Sequence, residues 1–178
     1  MRSALILLFV IGLLGCAPNA AVYYLPSVEG GRVIAGRCVP LPSRVEFTVD
    51  NVRISAHVSA VRGRQFVSLS LYPFPTQTVR FLSERFELRD SVQGRPIPVV
   101  SLEVFRHDRE KALTEPYPRG NAAPTASPYF NVLIYMDDTS AEVFELRSPP
   151  IAVDGVERFI PAIRFKRETW VGVSPLNC

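Results

Sequence analysis

The chain has 178 residues, 47% hydrophobic and 21% charged, enough for one ordinary core and too apolar for a disordered tail. Its formal net charge of +3 is too small to mark nucleic acid as a partner, and 10 glycines with 16 prolines exclude a collagen-like or low-complexity chain. The N-terminus comes first. Met1–Arg2–Ser3 places one positive side chain before Ala4–Leu14, a nearly unbroken apolar run. As a helix that run spans roughly 16 Å, about half a hydrocarbon core, too short to cross a bilayer and suited to the apolar segment of a secretory signal.

Leu13–Leu14–Gly15–Cys16 then resembles the lipobox of bacterial lipoproteins. The resemblance covers this segment alone. It implies cleavage before Cys16, a diacylglyceryl group on its sulfur, and a mature chain anchored in membrane lipid by palmitate-type acyl chains without crossing it. In that class an Asp after the Cys holds the protein at the inner membrane; Ala17 stands there, the outer-membrane pattern. Residues 1–15 are therefore expected to be a signal peptide. Loss of Arg2 leaves the mature chain near +2, with 19 basic against 17 acidic side chains.

Of three cysteines, lipidation uses Cys16 and leaves Cys38 and Cys178 outside the cytosol, where disulfides persist. A bridge between them is expected, closing a loop of about 140 residues and contributing at most about 5 kcal/mol. Two free thiols or a bond to a partner are the alternatives. Two cysteines and the distant His57 and His107 give no metal-ligand spacing, and no metal or other cofactor is expected.

Residues 16–43 mix Pro, Gly and small residues and read as a lipidated N-terminus and tether, with Tyr23, Tyr24 and Leu25 able to dock as an edge strand instead. A flexible chain from Cys16 to Cys38 would span roughly 25 Å. From Arg44 the period is two: Val45, Phe47 and Val49, then Val52, Ile54, Ala56 and Val58, alternate with polar residues. The two runs have opposite parity, so Asp50–Asn51 is a tight turn or a face-swapping bulge. Arg62–Gly63–Arg64 turns the chain into Gln65–Tyr72, which Pro73 and Pro75 end. Residues 79–89 and 97–105 carry further strand patterning, separated by a turn at 91–94.

Residues 106–128 break the pattern. His107–Leu113 has room for two helical turns, but Pro116, Pro118, Gly120, Pro124 and Pro128 prevent regular structure beyond it. A connection of this length is expected to be functional or disordered. Strands resume at 130–136 and 142–147, Asp154–Gly155 is a hairpin signal, and Phe159, Ile163 and Phe165 start a strand toward Trp170 and Val173. Eight or nine short strands with Gly/Pro turns predict an all-β domain over 44–178, an immunoglobulin-like or related Greek-key β-sandwich, with a small closed barrel as the alternative.

Tyr135–Met136–Asp137–Asp138 spells the YMDD signature of reverse transcriptases, whose paired aspartates hold catalytic Mg²⁺. That family needs a far longer palm domain and a third aspartate, so the four residues read as a strand end followed by a turn. No Gly-rich phosphate loop, nucleophile elbow or paired-His metal motif occurs, and His57 and His107 lie in polar stretches without triad partners. Arginine outnumbers lysine 18 to 2, but acids are interspersed, as in Arg85, Glu87, Arg89 and Asp90.

What remains is a non-enzymatic envelope module that works by protein–protein interaction. Loops on a rigid scaffold commonly carry binding, so the expected contacts are Tyr72, Phe74, Tyr117, Arg119 and Tyr129, in or beside loops. A carbohydrate or small-ligand module using the loop aromatics is the second expectation. A hydrolase with a dispersed site is the third.

Overall fold

The computed structural model describes residues 16–36, 41–106, 130–137 and 141–175. In chain order the strands are β1 (Cys16–Ser27), β2 (Arg32–Ile34), β3 (Arg44–Val49), β4 (Val52–Val61), β5 (Arg64–Tyr72), β6 (Val79–Phe81), β7 (Glu87–Asp90), β8 (Pro96–Ile97), β9 (Val99–Arg106), β10 (Phe130–Met136), β11 (Val143–Arg147), β12 (Ile151–Val153), β13 (Val156–Arg158) and β14 (Ile163–Pro175). They exceed the eight or nine expected because β2, β6, β8, β12 and β13 are two or three residues long, below the length at which alternation is legible.

The parity conflict at Asp50–Asn51 resolves as a turn. Val49 pairs with Val52, and Asp50 and Asn51 both take positive φ, 48° and 64°, the hairpin geometry whose twist matches its strands. Arg62–Gly63 joins β4 to β5 and Asp154–Gly155 joins β12 to β13 in the same way.

All pairings are antiparallel, in three sheets: β1-β14-β11-β7-β8, β2-β3-β4-β5-β10-β9, and the small β13-β12-β6. None closes on itself, so the barrel alternative fails and the fold is an all-β sandwich. Between the sheets lie fully buried Val45, Ile54, Leu69, Leu71, Phe81, Phe130, Ile134, Phe144 and Phe165. Aromatic contacts bind strands of the five-stranded sheet to one another and join β6 of the small sheet to β10 of the six-stranded one. Phe144 meets Tyr24 and Phe165 at ring centroids 5.2 and 5.1 Å apart, and Phe81 meets Phe86 and Phe130 at 5.2 and 5.6 Å.

The chain itself crosses both open sides of the sandwich. Pro98 carries it from edge strand β8 to edge strand β9, and residues 28–31 carry it from edge strand β1 to edge strand β2. Gly31 donates its N–H to the Val28 carbonyl (3.1 Å), and a Cβ there would run into the Val28 and Val45 side chains. That corner therefore needs glycine.

Two expectations need correction. Where a tether was expected, Cys16–Ser27 is β1, paired residue for residue with β14 from Ser27↔Arg164 to Cys16↔Pro175. The partner strand lies almost the whole chain away, so Ala- and Pro-containing sequence with little amphipathic pattern gains backbone bonding that no local signal announces. Second, Gln65–Tyr72 reads as a strand with Val67, Leu69 and Leu71 on one face, and the structure covers its other face as well, with Phe66, Ser68 and Ser70 buried. The Ser68 and Ser70 hydroxyls both donate to Asn131 Oδ1, at 3.0 and 3.1 Å, which keeps them satisfied under cover.

Candidate interaction surface

Register gives the sandwich two poles. β4 leaves the Asp50–Asn51 turn at one and reaches the Arg62–Gly63 turn at the other. Phe130 pairs with both Leu71 and Arg106, and Leu71 pairs with Ile54, two residues from Val52 beside the Asp50–Asn51 turn. The two residues that bracket 107–129 thus meet at the Asp50 pole.

Cys16 points the other way. Lys166 is the last residue of β14 in register with β11, and the Arg167 N–H still bonds the Glu142 carbonyl (2.7 Å), so Glu168–Pro175 is paired only with Tyr23–Cys16. This two-stranded ribbon, about 26 Å long at ~3.3 Å per residue, runs past the Arg62–Gly63 end. Its side chains grow exposed along the way, with Val22 at 57% and Val171 at 76%.

The Asp50 pole is tied together by short polar links. Arg158 Nε donates to Asp50 Oδ2 at 2.8 Å, and Gln77 Nε2 donates to the Asp50 carbonyl at 3.1 Å. Thr78 donates its N–H and hydroxyl to Asp154 Oδ1 at 2.8 and 3.1 Å. The exposed ion pair itself contributes at most about 1 kcal/mol; its effect is to fix where the 73–78 loop and the β12–β13 hairpin sit.

That fixing presents Phe74. Its N–H donates to Gln77 Oε1 and its carbonyl accepts from the Gln77 N–H, holding the ring 58% exposed. Tyr72 is half-buried, with the Arg53 guanidinium 4.5 Å above its ring, so part of its surface is already occupied. Tyr117, Arg119 and Tyr129 lie outside the described residues, as do His107, Cys38, Cys178 and the helical turns expected at 107–113.

Phe159 was expected inside a strand. Instead β13 ends at Arg158, β14 begins at Ile163, and Phe159 stands 73% exposed next to the arginine that grips Asp50. The nearby Pro161 was the available signal, since proline interrupts a ladder.

The YMDD residues have structural work. Tyr135 packs on Phe66 with centroids 5.3 Å apart, donates its hydroxyl to Glu103 (3.1 Å) and lies 5.0 Å beneath the Arg64 guanidinium. Met136 is buried in the core, β10 ends there, and Asp137 follows the strand. Asp90, whose carboxylate shares a cleft with Asp137 and Glu142, accepts the Val92 and Gln93 N–H groups at 2.8 Å as a turn cap. Among the described residues no group of three His, Cys, Asp or Glu side chains could hold a metal, and no helix is long and apolar enough to cross a membrane.

His57, read as a solvated surface residue, is half-covered between Arg44 on β3 and Ser68 on β5, with Glu46 a diagonal neighbour. Burial, and then the Arg44 charge, lower its pKa from 6.5. The unfolded chain therefore binds a proton on this ring that the folded chain rejects. Stability is expected to be full above pH 6.5 and to fall as pH drops from there toward the lowered folded-state value. Urea melts across that window check this: His57→Gln should flatten the slope, and an unchanged slope would contradict it.

Comparison of the chain with family models, curated proteins and solved structures found no match.

Proposed function

We propose that this protein is a lipid-anchored, non-enzymatic module of a bacterial cell envelope, moored through acylated Cys16 at the outer membrane. In this reading the Asp50 pole binds a protein partner. The supporting observation is the opposition of the two ends. Cys16 terminates a paired ribbon at one pole, while exposed Phe74 and Phe159, tied in place around Asp50, stand at the other. Exposed aromatics on a fixed frame make effective anchors, since they bury large area at small entropic cost.

Photo-crosslinking in intact cells tests the proposal. A crosslinking side chain placed at position 74, or separately at 159, is expected to capture one discrete protein species; the same group at Thr169 on the ribbon should not. Recovery of glycan fragments, or the same products from all three positions, would overturn the protein-partner reading.

A further inference from the structure

We propose a second site, at the ribbon end of the sandwich. There the cleft between the two large sheets binds a small amphiphile with a short apolar chain, a hydroxyl and a carboxylate. The cleft measures about 420 Å³; Val22, Leu41, Val58 and Ala60 give it apolar wall, Ser43 and Ser59 interrupt that wall, and Gln65 and Arg167 are also in its lining. That volume lies within the range of ligand-sized pockets.

Two polar groups line it, one buried and unpaired, the other at its mouth. Gln65 occupies an inward position of β5, one step beyond fully buried Val67, where the core pattern calls for an apolar residue. Its side-chain oxygen is buried and accepts no hydrogen bond. Buried acceptors are almost always paired, because leaving one unmade forfeits its hydration. A donor entering the cleft satisfies this oxygen, whether water or the hydroxyl of a ligand that displaces it, and near neutral pH a carboxylate does not.

The second group is Arg167. It pairs with Tyr24 on β1, lies on the same side of the sheet as that inward-facing ring, is exposed at the mouth of the cleft, and forms no ion pair among the described residues. A guanidinium without an acid binds a carboxylate through two parallel N–H bonds. The apolar walls between these groups take the hydrocarbon. Neither part of the argument uses the anchor or the opposite pole.

The test is equilibrium dialysis of 3-hydroxydecanoate and decanoate against the full-length protein in phospholipid nanodiscs, with empty nanodiscs subtracted. Saturable binding of one 3-hydroxydecanoate per chain is expected, with decanoate about tenfold weaker because it leaves the Gln65 oxygen unpaired. Gln65→Met should abolish that tenfold preference, and Arg167→Gln should weaken both acids about tenfold or more. Binding no greater than to empty nanodiscs, equal affinity for the two acids, or a preference that survives Gln65→Met would each overturn the site. The comparison of the two acids on the unaltered protein needs no variant to fold. Ligand is counted per chain present, and a chain that does not enter nanodiscs, which would refute the anchor at Cys16, is dialysed free in buffer, so failure of the site and failure of the readings at Cys16, 74 and 159 are separable.

Discussion

Changing Cys16 to alanine is expected to remove the protein from the outer-membrane fraction and to leave its polypeptide without lipid. The expectation is large because each buried methylene contributes about 0.8 kcal/mol, so two or three acyl chains anchor stably where one chain binds only marginally and reversibly. Intact-mass measurement of the native protein should find a chain that begins at Cys16 and is heavier than its polypeptide by those acyl groups. Membrane fractionation of Cys16→Ala is the companion readout. A native mass with no added lipid, or a variant that still fractionates with outer membrane as before, would refute the anchoring.

The largest stability loss is expected from Phe144→Ala. Phe144 is fully buried in the middle of the five-stranded sheet, with its ring stacked on Phe165 and edge-on to Tyr24. Truncation removes its transfer energy and leaves a cavity among rings that have no slack to collapse, a loss of about 3–5 kcal/mol. For a domain of this size that corresponds to a melting-temperature drop of roughly 6–20 °C. Val171→Ala, at a strongly exposed position, is the control and should change stability by no more than about 0.5 kcal/mol. Urea denaturation of both variants decides it: a loss under about 1 kcal/mol at Phe144 would show that the two sheets do not meet as described.

How much of this was legible before the structure depends on whether the signal was local. The hairpins at Asp50–Asn51, Arg62–Gly63 and Asp154–Gly155 were readable because two residues with tolerance for positive φ must sit between strands. The buried face of β3 and β4 followed from alternation alone. Of β1 only Tyr23–Leu25 suggested an edge strand, and the rest read as tether because the evidence for it is β14, whose sequence starts more than a hundred residues later. Gln65 was equally silent: an amide at a strand start looks like a solvent-facing residue until its register against Ala60 and Met136 turns it inward. Phe74 stands out in the sequence as an aromatic beside a loop, yet the link that orders it, from Gln77 to Asp50, joins residues 27 apart. Arg158 reaches Asp50 across 108 residues and left no trace in the sequence at all.

The marriage of the first and last strands carries a kinetic consequence. β14 is the partner that β1 and β11 share, and among the described residues it is the last strand in chain order. During synthesis β1 therefore waits with both backbone edges bare until nearly the entire polypeptide has emerged. Such long-separation pairing is slow and leaves the waiting segment open to wrong partners. A truncation that removes only β14 would cut β1 off from β11 and the rest of the five-stranded sheet, and the nascent protein would depend on a holding chaperone for most of its assembly time.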